Sequence, residues 1–342
     1  MNSAVAESLR DTRYRRETRE VRLSLLCLVG LFVLAIRGWA AEEEEPDVIR
    51  IPKYEMTSEL FDYYHGLLVM ALEVTEETYG KTLVEIEDIP TLQKRQQLGL
   101  KSATTDVIWG INTIVQEEEF IAVSFPLSAD LFSYRLLVVN ADDERFSKPL
   151  SDAQLKKMKA VQGRDWRDYE VLQQNGFNVS GADHHMTYRL LETGFVDYFP
   201  RSIIEVCEEL DSHPNVVIYP EVAFYYPNVI RFYINKERAE LAQRLQEGLE
   251  KAYADGTVLH RLISQPFFRD FSALIYEKRI IELASDTSEQ TLALLSHPLI
   301  NEVKDVIHAL PDEWYQPHPN QRCDWRESNV PPPEDTKTKA KK

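Results

Sequence analysis

The chain has 342 residues, 44% of them hydrophobic, and a formal net charge of −17 at neutral pH. That content sustains one large or two modest cores and excludes collagen-like, coiled-coil and wholly disordered classes. The acidity makes nucleic acid and anionic membrane surfaces poor partners, and no nucleic-acid role is expected.

Taken in chain order, Arg10, Arg13, Arg15, Arg16, Arg19 and Arg22 precede a fourteen-residue apolar run at 23–36, then Gly38-Trp39-Ala40-Ala41 and four glutamates. This is the order of a secretory leader: basic region, apolar region, small-residue cleavage site. Fourteen helical residues span about 21 Å, short of a hydrocarbon core of about 30 Å. Residues 1–40 are therefore expected to be a signal peptide cleaved near Ala40, delivering the protein to the periplasm. An uncleaved N-terminal helix acting as an anchor is the alternative. Cleavage removes seven arginines and four acids, leaving a charge of about −20. Cys27 lies in the leader. Cys207 and Cys323 show no metal-type spacing and are expected as two unpaired thiols, Cys207 on an apolar helical face; one disulfide in an oxidising compartment is the alternative.

Residues 48–51 read as a strand ended by Pro52. After Ser58 a helix is expected at 59–79, with Leu60, Tyr64, Leu67, Leu68 and Ala71 on one face and Gly80 as its stop. A strand at 82–86, a helix at 91–98 and a strand at 106–109 complete a βαβαβ pattern, which favours a parallel sheet with helices on its faces. The apolar strand 134–140 opens a second α/β unit. Strands at 160–162, 177–179, 196–199 and 216–219 then alternate with helices at 151–159, 166–174, 183–194 and 203–210, the last read as starting in a Ser202-x-x-Glu205 capping box. Residues 228–235 mirror 134–140 and lead into an amphipathic helix at 236–254. Residues 267–295 read as further helices, and 327–342 as a disordered tail.

Several strings occur in a telling order. They are Leu98-Gly99 with Asp106-Val107-Ile108-Trp109-Gly110; Val123-Ser124-Phe125-Pro126-Leu127 running into Tyr134-Arg135-Leu136-Leu137; Leu191-Glu192-Thr193-Gly194-Phe195-Val196-Asp197-Tyr198-Phe199-Pro200-Arg201; and Gly248-Leu249 with Asp255-Gly256-Thr257. Together, across 48–262, the chain resembles the extracellular solute-binding proteins of family 3. The resemblance implies an α/β, two-lobed type II periplasmic-binding-protein-like fold, each lobe a mostly parallel sheet flanked by helices, joined by two crossover strands. Lobe 1 is expected at 46–135 and 235–310, lobe 2 at 136–234. It further implies a monomer without cofactor that closes on a small polar solute for a membrane permease or a sensor. Amino-acid-binding members usually grip the ligand carboxylate with an arginine after the third strand; here Gln116-Glu117-Glu118-Glu119 occupies that stretch. They grip the amino group with an aspartate that is missing just after Asp197-Tyr198-Phe199. An ordinary α-amino acid is therefore not the expected solute.

Ligands in such sheets meet the carboxyl ends of strands and the helix starts behind them. This selects Tyr54 after the first strand; Trp109, Asn112 and Thr113 after the third; Gln162, Arg164 and Trp166 in the second lobe; and Arg201 at its helix start. Tyr54 and Trp109 suit a planar or sugar-like solute, or plain core. Arg201 suits an anion, or a salt bridge. Arg164 has Asp165 and Asp168 nearby to neutralise it, and Arg135 reads as a structural residue at the hinge. Asp183-His184-His185 reads as a helix start rather than a metal site, because adjacent histidines face different ways. HExxH, GxSxG, GxxxxGK[ST] and GxGxxG are absent from the sequence, so a binder rather than an enzyme is expected. An exported dehydratase-like enzyme on the same scaffold, and a degenerate fold serving as an interaction module, are the alternatives.

Overall fold

The computed structural model describes residues 46–54, 56, 58–111, 118–275, 278–310 and 323. The leader at 1–40, the tail at 327–342 and the candidates Asn112 and Thr113 lie outside the described residues. The described residues from Asp47 onward form one compact unit.

Strand β1 (Asp47–Tyr54) continues through Pro52 and pairs in parallel with β2 (Thr82–Thr91), Ile49 opposite Val84. Proline is tolerated in such a short, edge-like ladder. Helix α1 (Ser58–Glu73) crosses between them and buries Leu60, Tyr63, Tyr64, Leu67, Leu68, Ala71 and Leu72, the i, i+3, i+4 stripe of a core-facing helix. It stops earlier than its periodicity suggests because the Thr75 hydroxyl donates back to the Ala71 and Leu72 carbonyls (2.8 and 3.0 Å), offering the backbone an alternative to another helical turn. A four-residue helix α2 (Glu76–Tyr79) follows, and Gly80 takes a positive φ of 80°. Helix α3 (Gln93–Lys101) leads to β3 (Val107–Ile111), which is tied to β1 where the Asp106 N–H donates to the Arg50 carbonyl (2.8 Å).

Strands β4 (Ile121–Ala122) and β5 (Leu127–Asp130) lead to β6 (Tyr134–Asn140), the centre of the second lobe. There α4 (Asp152–Lys157), β7 (Lys159–Gly163), α5 (Arg167–Gln174), β8 (Asn178–Ala182), α6 (His184–Glu192), β9 (Tyr198–Ser202), α7 (Val206–Leu210) and β10 (Val216–Tyr225) alternate as the sequence pattern predicts. They form one six-stranded sheet whose outermost strand is β12 (Arg279–Glu282), in the order β12-β10-β6-β9-β7-β8. The β12–β10, β9–β7 and β7–β8 pairs are parallel, and β6 is antiparallel to both its neighbours. Two expectations are corrected. Residues 267–295 are not all helical, since β12 interrupts them and pairs with β10. The capping box also does not form: Ser202 ends β9, Glu205 is the residue before α7, and no side chain caps that helix.

The chain returns to the first lobe through β11 (Ile230–Ile234), which lies antiparallel between β3 and β4. Helix α8 (Ala239–Ala254) then packs on α1 so closely that a Cβ on Gly248 would lie 2.2 Å from the Ala71 carbonyl oxygen. Buried Arg244 of α8 donates to the Leu72 and Gly80 carbonyls (2.9 Å each), satisfying acceptors left at the helix end. Helices α9 (Thr257–Ile263), α10 (Pro266–Ile275), α11 (Glu289–Leu294) and α12 (Pro298–His308) complete the described part.

The two crossings between lobes run side by side. The Asn228 N–H donates to Ser133 Oγ (3.0 Å), which donates to the Asn228 carbonyl (3.3 Å), and the Tyr226 N–H donates to the Ser133 carbonyl (3.1 Å). Among the described residues no helix is long and apolar enough to cross a membrane.

Candidate functional site

A cavity of about 590 Å³ opens between the two sheet systems, within the range of small-molecule sites. Its two walls are chemically unlike.

The first lobe supplies an aromatic wall. At the end of β1 the Tyr54 hydroxyl accepts from the Trp109 backbone N–H (2.6 Å) and donates to the Trp109 carbonyl (3.1 Å). This pair of hydrogen bonds between neighbouring strands holds the two rings stacked, 4.2 Å apart and 14° from parallel. Burial drives the Tyr54 phenol far above its ordinary range, the Trp109 backbone only partly opposing it, so it stays a neutral hydroxyl. Tyr64, Leu60, Thr91 and Ile111 extend this wall. The Trp109 indole N–H and the Thr91 hydroxyl are buried, and neither has a hydrogen-bond partner among the described residues. Buried polar atoms without partners are uncommon, and inside a cavity they mark where a solute or water is received.

The second lobe supplies an ionised wall. Arg201 on β9 aims its fork at Glu209 beyond the next turn, Nε to Oε2 at 2.7 Å and Nη2 to Oε1, and reaches Glu205 Oε2 at 3.3 Å. The Tyr188 hydroxyl also donates to Glu209 (2.7 Å). Burial opposes every charge here. It is outweighed at Arg201 by Glu205 and Glu209, which hold the guanidinium firmly protonated, and at Glu209 by Arg201, which holds that carboxyl low. Glu205 has the poorer share of the arginine; burial, with Glu209 repelling it, pushes its carboxyl up.

Behind this sits a second buried pair. Arg135 Nε donates to Asp168 Oδ1 (2.5 Å) and its Nη1 to the Phe132 and Tyr134 carbonyls (2.5 and 3.1 Å), while the Tyr226 hydroxyl donates to the same carboxylate oxygen. Burial again raises Asp168, but Arg135 and Tyr226 overcome it, and the carboxyl lies below its usual range. Trp166 completes the wall by folding over Gly163, where a Cβ would meet its ring at 2.3 Å, and the Arg201 guanidinium lies 4.9 Å from that ring.

Of the sequence candidates, Tyr54, Trp109, Trp166 and Arg201 line this cavity, as does the hinge residue Arg135. Gln162 does not: it is 1% exposed and its amide donates to the Pro200 carbonyl (2.7 Å), because strand alternation turns it into the lobe. Arg164 also stays outside the lining, with a largely exposed side chain 4.0 Å from Asp183. Of the two readings of Arg201, anion clamp or salt bridge, the structure shows the salt bridge, with the chain's own carboxylates on Nε and Nη2. Glu205, Glu208, Glu209 and Asp168 line the cavity without having been singled out as ligands. A run of glutamates on a short helix reads as a solvated face, and only the Arg201 contacts, formed in three dimensions, distinguish it.

The walls also touch. The Ser58 N–H at the start of α1 donates to Glu208 Oε1 (3.3 Å), a carboxylate at a helix N-terminus, and Lys94 Nζ meets Asp165 Oδ1 at 2.8 Å. Cys207 of α7 is joined to Cys323 in a disulfide, correcting the expectation of two unpaired thiols and tying the helix of the ionised wall to the C-terminal segment.

Comparison with known proteins agrees with this architecture. No family model and no curated protein matches the sequence. Among solved structures, a periplasmic binding protein of Salmonella typhimurium described for its high arginine specificity superposes with a TM-score of 0.50, at 11% identity over 64% of this chain and 99% of that one. An ancestral arginine-binding protein bound to arginine covers 63% of this chain and 96% of its own at 16% identity, with a TM-score of 0.47. A histidine kinase sensor domain similar to periplasmic binding proteins gives 17% identity over 64% of this chain and 93% of its own, with a TM-score of 0.46. At such identities the likeness speaks to fold alone. The chain has the two-lobed type II periplasmic-binding-protein fold.

Proposed function

We propose that the protein is an exported binder that closes its two lobes on a small organic solute, for uptake through a membrane permease or for sensing. The observation that carries this is the cavity itself: it is lined from both lobes, holds on one wall buried polar atoms with no partner among the described residues, and lies between lobes that also meet at Ser58–Glu208 and Lys94–Asp165. A solute contacting both walls favours the closed state by the difference in its contacts with open and closed forms. The Cys207–Cys323 disulfide supports an oxidising compartment, in keeping with the leader read at 1–40.

A thermal-shift screen across amino acids, amines, organic acids, sugars and peptides tests the proposal. Saturable stabilisation without loss of the compound is expected. Consumption of the stabilising compound overturns it in favour of an enzyme on this scaffold. Silence across the whole panel overturns it in favour of an interaction module.

A further inference from the structure

We infer that the solute of this cleft is an organic cation lacking a carboxylate group, an amine or guanidine rather than an amino acid. The inference rests on the binding function proposed above and names its ligand class.

The charges lining the cavity are Arg135, Arg201, Asp168, Glu205, Glu208 and Glu209, with His184 beside Trp166. Both guanidiniums are committed within the protein, Arg135 to Asp168 and Arg201 to Glu209 and Glu205. These pairings consume Asp168 and Glu209 and leave the second carboxylate on Arg201 only partly compensated. Among the described residues Glu208 has no cation: its Oε1 receives the Ser58 N–H, while its Oε2 is buried with no partner among them. The cavity is thus short of positive charge.

An independent observation comes from the opposite wall. Thr91 is 5% exposed, lines the same cavity, and its hydroxyl oxygen has no partner among the described residues. An ammonium or guanidinium group, which only donates, suits both Thr91 Oγ1 and Glu208 Oε2. The apolar surface that Tyr54, Trp109 and Trp166 contribute to the lining suits the stem of such a cation. The Trp109 indole N–H, also without a partner among the described residues, suits a hydroxyl or carbonyl elsewhere on the solute. A ligand carboxylate, by contrast, enters a site whose guanidinium charges are already paired with Asp168, Glu209 and Glu205 and whose remaining charges repel it, and such a juxtaposition in a desolvated site opposes binding.

Calorimetric titration with compounds paired across this difference tests the inference: agmatine, putrescine and choline against arginine, lysine and glutamate. At least one of the three cations is expected to bind roughly tenfold or more tightly than every carboxylate-bearing compound. Glu208→Gln, which preserves shape, is expected to weaken that cation by roughly thirtyfold or more. Thr91→Val, on the other wall, is expected to weaken it several-fold, and thermal melts report whether each variant folds. An amino acid or organic acid that outcompetes all three cations overturns the inference and leaves the binding function standing. Cation binding that is unchanged in both folded variants also overturns it. If nothing in either set binds and the wider screen is silent too, the binding function falls with it.

Discussion

The two walls of the cleft are built on opposite principles. The wall from the first lobe is aromatic, held by one phenol bridging two strand ends, and keeps polar atoms in reserve at Trp109 and Thr91. The wall from the second lobe is a lattice of charges that mostly neutralise one another before any solute arrives. Buried ion pairs contribute little net stability over an apolar replacement, yet breaking one leaves an uncompensated charge in a poor solvent. The aromatic wall is therefore expected to tolerate conservative change, whereas the ionised wall is expected to fail as a unit.

The largest test of this contrast is Asp168→Ala, which strands Arg135 at 2% exposure. It is expected to lower unfolding free energy by about 3–5 kcal/mol in chemical denaturation; a change below about 1 kcal/mol would mean that the charge lattice is not structural. Next is Cys207→Ala, or reduction, which opens a cross-link between residues 116 apart in sequence and is expected to remove about 2–5 kcal/mol, read as a drop in melting temperature. Gly163→Ala drives a methyl group into the Trp166 ring. About 1–3 kcal/mol of overpacking is expected, together with a shift in tryptophan fluorescence as the ring moves. On the other wall, Tyr54→Phe removes only the hydroxyl bridge to Trp109 and is expected to cost about 1–2 kcal/mol.

The smallest effect concerns pH. Glu205, with its carboxyl raised in the folded state, binds its proton more readily folded than unfolded. Its contribution therefore grows as pH falls through the folded pKa and is complete below the ordinary carboxylate range. Asp168 and Glu209, held low, act oppositely, and their contribution is lost at still lower pH, below that range. Stability is thus expected to rise slightly on mild acidification and then to fall. Glu205→Gln should shrink the rise, to which Asp130, also raised by burial, contributes, while leaving the acid limb in place, as denaturation across a pH series would report.

What was legible in the sequence follows the same divide. Strand 134–140 and the alternation of the second lobe are local patterns, and they stand where their periodicity puts them. Tyr54 and Trp109 reach the cavity because a strand's carboxyl end is a local signal too. Arg201 is legible as a cleft residue with a salt bridge as one of its two readings, but its partner is not. Glu209 reaches it only after the turn at 202–205 folds back, and that turn had looked like a capping box. Gln162 shows the converse: the strand-end rule selects it, and the alternation of its own strand removes it. Strand β12 is four residues long and held by pairing to β10, about sixty positions earlier, which no local periodicity records. The disulfide is nonlocal for the same reason.

Hydrogen–deuterium exchange, with and without the solute that raises the melting temperature most, tests the central claim of a cleft closed from both sides. The account predicts that β3 (Val107–Ile111) on the aromatic wall and α7 (Val206–Leu210) on the ionised wall gain protection together as the solute saturates. Protection confined to one wall, or none at either, would contradict it.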